Sequence, residues 1–300
     1  MSIEVLTSVT EAERFAERLR ARGQRLGLVP TMGALHAGHL SLVRRAVAEC
    51  GAACVSVFVN PLQFDQAGDL KHYPRDFEGD VRLLAAADCD MVFTGELADF
   101  FPADAARAKS LGQEFSPAHV QLDDPGPAAE GLEGEHRAGH FAGVATICRR
   151  LFEVIEPDRA YFGQKDFQQT LVVQQVAARR GAPQIVVAPT VREPSGLALS
   201  SRNTRLRPQD REAAGLLSQA LHAAWKAWSE GERDRLALEQ VMANRLRGVE
   251  VEYAAVRDPE QFAASPARLE RGQALVAAQV GPVRLIDNHR LDGPALELGP

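Results

Sequence analysis

Cysteine is scarce in this 300-residue chain: Cys50, Cys54, Cys89 and Cys148 are the full set, and no two form a C-x-x-C pair. That spacing argues against a disulfide framework or a structural zinc site and for buried free thiols in a reducing compartment, so a cytoplasmic protein is expected. Excess positive charge is also missing. Lys and Arg number 34 against 40 Asp and Glu, a formal net charge of −6. Nucleic-acid binders need a basic face that displaces counterions, so no nucleic-acid partner is expected and only a local basic pocket is left open. No stretch approaches the roughly 18 uninterrupted apolar residues of a membrane span, and the first residues lack the basic and apolar regions of a secretory signal. No membrane association is expected. What is present is ordinary globular usage, 45% hydrophobic and 25% charged, which excludes disorder, collagen and coiled coil.

Short apolar runs alternate with helical patterns over the first two thirds of the chain. Thr10 to Glu13 reads as a capping box opening a helix with Ala12, Phe15, Ala16 and Leu19 on its apolar face. The run Leu26–Val29, closed by Pro30, suits a strand buried on both faces. A helix follows Gly33, with Leu40, Val43 and Val47 on one side. A second run, Ala52–Val59, ends at Asn60-Pro61, and helical spacing returns after Asp76 (Val81, Leu84, Ala85) before the strand Met91–Phe93. Helices around Val144–Ile155 and after Asp166 alternate with strands Arg159–Phe162 and Ile185–Ala188. This order predicts an α/β fold: a parallel sheet with helices on both faces, its polar and glycine-rich loops gathered at the carboxyl ends of the strands, where such sheets bind ligands. The segment Pro102–Pro127, rich in Ala, Pro and Asp, is expected to be partly irregular. Beyond Pro189 the order changes to helices (Pro208–Trp228, Leu236–Leu246) followed by β-like runs (Val249–Val256, Ala274–Val280, Val283–Ile286), with Gly281-Pro282 as a tight turn. Two domains are expected, a sheet domain over 1–189 and a smaller C-terminal α+β domain over 190–300.

Three segments carry chemistry. Pro30-Thr31-Met32-Gly33-Ala34-Leu35-His36-Ala37-Gly38-His39 follows a strand and opens a helix, and a helix amino end favours phosphate through its unpaired N–H groups and partial positive charge. His36 and His39 lie on one side of a helical turn and can donate to phosphoryl oxygens, while Gly33 and Gly38 allow close backbone approach. The same two histidines are also compatible with helix capping, with core packing, or with a metal pair that lacks a convincing third ligand. Glu193 to Asn203 contains Ser200, Ser201 and Arg202, two hydroxyls and a guanidinium fork suited to a phosphate clamp; a surface loop is the alternative. Gly163 to Gln169 offers Lys165 as a point charge and Asp166 as either a magnesium ligand or a helix cap. Gln63, in Asn60 to Phe64, and Gln169 are neutral amides able to bind a polyhydroxy acid. Arg137 and His140, beside Gly139 and Gly143, add further anion contacts.

Taken together, LVPTMGALHAGH (Leu28–His39), VSVFVNPLQF (Val55–Phe64), YPRD (Tyr73–Asp76), GHFAGV (Gly139–Val144), FGQKDFQQ (Phe162–Gln169), GLALSSRN (Gly196–Asn203) and RLIDN (Arg284–Asn288) resemble the pantoate–β-alanine ligases over nearly the whole chain. The resemblance implies the Rossmann-like fold of the H-x-G-H nucleotidyltransferases, a homodimer, and ATP-dependent joining of pantoate to β-alanine through an adenylate, with AMP and pyrophosphate released. By the same resemblance His39 is the catalytic acid, with His36, Lys165 and Arg202 beside it. ATP is bound by Pro30, Thr31, Met32, Gly33, His36, Gly38 and His39, by Gly163, Gln164, Lys165 and Asp166, and by Val191, Leu199, Ser200, Ser201 and Arg202. Gln63 and Gln169 match the pantoate-binding glutamines, the former also near the β-alanine site, and Asn60 and Arg137 are expected to join them in binding pantoate or β-alanine. Mg2+ is expected to arrive with ATP rather than at a protein-only site, Asp166 being a possible ligand. Gln164 stands where the family often has Glu, and Leu199 where some members have Met. Two other readings fit parts of the pattern: a cofactor adenylyltransferase acting on a phosphate acceptor, and a nucleotide-binding regulator without turnover.

Overall fold

The computed structural model describes residues 3–65 and 67–296. Contacts divide the chain into two units, one running through Ala129 together with Glu133–Gly163 and Gln168–Ala188, the other comprising Glu130–Leu132, Gln164–Phe167 and the chain from Pro189 onward.

In the first unit six strands, β1 (Glu4–Leu6), β2 (Gly27–Thr31), β3 (Ala53–Val57), β4 (Met91–Thr94), β5 (Arg159–Gly163) and β6 (Gln184–Ala188), form a parallel sheet in the order β1-β4-β3-β2-β5-β6. The connecting helices are α1 (Val9–Ala21), α2 (Ala37–Cys50), α3 (Ala67–His72), α4 (Phe77–Ala85), α5 (Leu97–Phe100), α6 (Pro102–Ser110), α7 (Glu133–His136), α8 (His140–Ile155) and α9 (Phe167–Arg180). Adjacent strand residues part to opposite faces, as the pleat requires. Leu28, Cys54 and Phe93 pack with Phe15 of α1, Leu151 of α8 and Val173 of α9; Val29, Val55 and Val92 pack with Val43 of α2 and Leu84 of α4. Both faces are therefore apolar and helix-covered, which is why the strands read as continuous hydrophobic runs.

Several local expectations are corrected. The capping box of α1 is Ser8 with Glu11, not Thr10 with Glu13: the Glu11 carboxylate accepts from the Ser8 and Thr7 N–H groups and the Ser8 hydroxyl takes the Glu11 N–H. Pro30 lies inside β2 rather than closing it; the β2–β5 register stops at Leu28, so a residue without an amide proton sits where only β3 remains alongside. The inward face of α4 is Asp80 and Leu84, with Ala87 just beyond, while Ala85 is exposed. Helix α8 begins at His140, four residues before the expected start. Pro102–Pro127 is irregular in part, as expected: α6 takes its first nine residues, and most of the rest is turn and coil.

The second unit packs α10 (Pro208–Ser229) and α11 (Arg235–Arg245) against an antiparallel sheet of β7 (Glu250–Arg257), β8 (Gln273–Val280) and β9 (Val283–Arg290). Pro208 opens α10 at a position where no amide proton is needed. Val280 pairs with Val283 around Gly281-Pro282, with Gly281 at φ +55°. Strand β9 runs four residues past Ile286 because its buried polar residues are partnered, Asp287 by Arg192 and Asn288 by Gln273. All four cysteines are buried and free. Burial pushes the Cys89 and Cys148 thiols up to about 12, which keeps them protonated and unreactive. Among the described residues no helix is long and apolar enough to cross a membrane.

Candidate active site

The carboxyl end of β2 leads through a tight turn into α2. Gly33 and Ala34 adopt positive φ in succession, +80° and +50°. The Thr31 hydroxyl donates to the Ser56 carbonyl at 2.7 Å and accepts from the Gly33 N–H at 3.2 Å, so it is committed to the backbone. Gly33 also answers to internal packing: an added Cβ there would stand 2.9 Å from an Asp80 carboxylate oxygen and 3.1 Å from Val57. The side chain that Gly33 makes room for is one of the protein's own.

His36 is the N-cap of α2. Its Nδ1 accepts from the Gly38 N–H at 3.1 Å, and His39 Nδ1 accepts from the His36 N–H at 3.4 Å, an imidazole version of the capping box. The rings lie 4.1 Å apart, centroid to centroid. Capping and chemistry are compatible here, because an Nδ1 that accepts from an amide puts the ring proton on Nε2. The first turn of α2 contains no acidic residue, so no carboxylate within the helix offsets its amino-terminal dipole. Asp80 Oδ2 accepts from the Ala34 N–H at 2.9 Å and Oδ1 from the Leu35 N–H at 2.7 Å. Burial pushes the Asp80 carboxyl above its ordinary range, and these two amide hydrogen bonds pull it partway back. Sequence reasoning missed Asp80. The available signal was an acid on the apolar stripe of α4 at i, i+4, i+7 with Leu84 and Ala87.

Gln63 is 8% exposed, and its amide donates to the Met32 sulfur at 3.0 Å and accepts from Asn60 Nδ2 at 3.0 Å. Asn60, 1% exposed, also donates to the Gly143 carbonyl and accepts from the Leu62 N–H, so its amide ties Gln63 to α8 and to the neighbouring backbone. Gly143 allows α8 to approach: a Cβ there would collide with the Leu62 carbonyl. His140 Nδ1 donates to the Gln63 carbonyl at 2.9 Å, and its Nε2 accepts from Arg137 at 3.1 Å. His140 and Arg137 thus buttress the Gln63 backbone. Gln168 is buried and tied to the Glu133 N–H and Ala128 carbonyl, whereas its neighbour Gln169 is half-buried. A cavity of about 400 Å3 opens beside the turn, lined by Met32, Gly33, Phe58, Arg75, Asp80 and Glu96 among others. It touches the turn only at Met32 and Gly33; neither imidazole lines it.

In the second unit, residues 191–199 fold back on themselves. The Leu199 N–H donates to the Val191 carbonyl at 2.9 Å and the Glu193 N–H to the Leu197 carbonyl at 2.8 Å, with Gly196 at φ +87° in the bend. Arg192 makes a two-pronged contact with Asp287, at 2.6 and 2.9 Å, and donates to the Gly196 carbonyl. Ser200 then caps a short 3-10 helix, Ser201–Arg205, by accepting the Arg202 N–H, and buried Asn203 ties that helix to Glu193 and Ala198. Asn288 Nδ2 donates to the Gln164 and Lys165 carbonyls at 2.9 and 2.8 Å, fixing the segment that carries Lys165. Asp166 lies 3.8 Å from the Lys165 ammonium and is about half exposed. Among the described residues no group of three or more His, Cys, Asp or Glu is arranged to hold a metal. Gly163 has an ordinary φ and open space where a Cβ would stand, so neither conformation nor internal packing calls for glycine there.

Comparison with known proteins gives a consistent picture. The sequence profile of the family described as pantoate-beta-alanine ligase matches residues 4–290. Pantothenate synthetase of Rubrobacter xylanophilus is 48% identical, with 96% of this chain and 98% of the relative covered. That of Mycolicibacterium smegmatis is 46% identical, covering 97% and 88%. Among solved structures, pantothenate synthetase from Thermus thermophilus superposes with a TM-score of 0.84 at 37% identity, over 96% of this chain and 99% of that one. A pantoate-beta-alanine ligase from Francisella tularensis, complexed with beta-gamma ATP and beta-alanine, gives a TM-score of 0.76 at 29% identity, over 97% and 99%.

Proposed function

The chain belongs to the pantoate-beta-alanine ligase family, and on that premise we propose that it joins pantoate to β-alanine through a pantoyl adenylate, releasing pyrophosphate and then AMP. A carboxylate resists attack by an amine because its leaving oxygen is a strong base. Attack of a pantoate carboxylate oxygen on the α-phosphorus breaks the bond to pyrophosphate and converts that oxygen into the bridge of a mixed anhydride. The β-alanine nitrogen then attacks the acyl carbon, loses a proton, and AMP departs with the bridging oxygen.

The observation that carries this reading is the amino end of α2, free of acid in its first turn and capped by two imidazoles whose protons sit on Nε2. Such donors act most strongly on charge that grows in a transition state, here on the departing pyrophosphate, with His39 as the acid. Lys165 and Arg202 supply cationic charge to the phosphates, Ser200 and Ser201 their hydroxyls. Pro30–Gly33, Gly38, Gly163–Asp166, Val191 and Leu199 supply backbone and apolar contacts to the nucleotide. The open space at Gly163 agrees with close approach of a ligand. Gln63 and Gln169 hold the hydroxy acid, with Asn60 and Arg137 fixing Gln63 directly or through His140. Asp166 is the carboxylate that would hold magnesium arriving with ATP, and the ion would supply neutralisation of phosphate charge. The neutral amides at Gln63 and Gln169 disfavour a phosphate acceptor, which would call for cations, and so favour the ligase over a cofactor adenylyltransferase.

Incubation with ATP, magnesium and pantoate tests the scheme. Pyrophosphate and an enzyme-bound adenylate are expected without β-alanine, and AMP with pantothenate after its addition. Formation of ADP instead, or no pantoate-dependent turnover, would overturn it. Arg202→Lys is expected to lower kcat/KM for ATP by about 10- to 100-fold, the worth of a charged hydrogen bond, because a point charge does not replace a planar fork. Unchanged steady-state kinetics would remove Arg202 from the phosphate site.

A further inference from the structure

Asp80 has no part in the chemistry above, yet it is a carboxylate only 3% exposed, and both its oxygens are spent on one stretch of backbone, the Ala34 and Leu35 N–H groups. Successive backbone N–H groups in a turn can converge on a common concavity, a nest that binds anions; the turn whose Ala34 and Leu35 N–H groups converge on Asp80 contains two successive residues of positive φ. Here Gly33 supplies one such residue at no steric cost, but the other is Ala34, at φ +50°. An alanine in this region is disfavoured by about 1–2 kcal/mol and persists only where its surroundings hold it. The carboxylate in the nest is what holds it, and Gly33 lacks the Cβ that would crowd the same oxygen. Leu35, gripped by Oδ1, immediately precedes His36, whose extended backbone and Nδ1 contact set the start of α2 and, through the His36 N–H, the ring of His39.

We propose that Asp80 is a positioning residue: by filling the Ala34–Leu35 nest it fixes the backbone entering α2 and so aims both imidazoles. The nest is occupied internally and is not a phosphate site. This inference rests on the catalytic reading of His36 and His39, but its test has a readout independent of turnover. Asp80→Asn is nearly isosteric and presents an NH2 group to one of the two amide donors. In long-range 1H–15N spectra of the imidazoles, native His36 and His39 should show bare Nδ1 and protonated Nε2. Asp80→Asn should broaden or shift that pattern for both rings while the far-ultraviolet dichroism is retained. Pantoate-dependent exchange of pyrophosphate into ATP should fall in kcat by on the order of 10- to 100-fold, the scale of a misplaced catalytic group, with the pantoate KM within about twofold. In a His39→Ala background the same substitution should cost less, since only its effect through His36 then remains. Adding Ala34→Gly to Asp80→Asn, which lets the turn form without the carboxylate, should restore the imidazole pattern and part of the rate; it also serves if Asp80→Asn alone does not fold. Unchanged imidazole spectra, or effects of Asp80→Asn and His39→Ala that simply multiply, would overturn the proposal. Absence of exchange in the native protein would instead overturn the proposed reaction, and the spectra would still decide the role of Asp80.

Discussion

His39→Ala is expected to lower the rate of adenylate formation by about 10²- to 10³-fold or more while changing stability by no more than about 1 kcal/mol. The asymmetry follows from what the ring touches. Within the fold its Nδ1 accepts one amide hydrogen bond, from His36, at a long 3.4 Å, and alanine is the best helix former at the vacated position. The ring proton is on Nε2, at the amino end of a helix without acid in its first turn, where negative charge is favoured. His36→Ala differs in kind. That ring is the N-cap and accepts the Gly38 N–H at 3.1 Å, so its loss should reduce melting temperature as well as rate. Pantoate-dependent pyrophosphate exchange measured beside thermal melts separates the two variants. Near-native exchange by His39→Ala would remove the imidazole from the chemistry.

The sheet was legible because both its faces are covered, so five of its six strands appear as apolar runs between helical patterns. β1 was not: Glu4-Val5-Leu6 is three residues long, half exposed, and paired on one side only, with β4. The α1 capping box was displaced by two residues because Ser8/Glu11 and Thr10/Glu13 both satisfy the pattern, and only the fold shows which glutamate receives the free N–H groups. At the site, residue types that bind phosphate were readable as types, but their local duties were not. Asn60, Arg137 and His140 read as ligands for a substrate, and nothing in their pattern shows that Asn60 and His140 also hydrogen-bond Gln63, with Arg137 behind His140. Asp80 is the converse case, separated by 46 residues from the turn it supports. A contact of that range has no periodicity to betray it, and only its place on an apolar helix face hints at a buried partner.

The largest stability effect is expected at Asp287. Its carboxylate is 2% exposed and meets Arg192, itself 13% exposed, through two short hydrogen bonds while also accepting the Asn288 N–H at 2.7 Å. Removing one member of a buried pair leaves the other as an uncompensated charge, a loss of about 3–5 kcal/mol, whereas the pair itself contributes far less against an apolar replacement. Asp287→Ala should therefore destabilise the second unit by several kcal/mol, and Asp287→Asn, which keeps one acceptor for the guanidinium, by clearly less. Replacing Arg192 and Asp287 together with leucine and alanine should recover much of the loss, since no buried charge then remains. Both tryptophans, Trp225 and Trp228, lie in α10, so their fluorescence during denaturant unfolding follows this unit directly. The functional consequence comes through the backbone: Arg192 donates to the Gly196 carbonyl within the bend that delivers Ser200, Ser201 and Arg202. KM for ATP should accordingly rise in Asp287→Asn before global stability fails, at temperatures where the tryptophan signal is still native. A loss below about 1 kcal/mol in Asp287→Ala, with ATP kinetics untouched, would mean that the backbone pairs of residues 191–199 hold the bend without the ion pair.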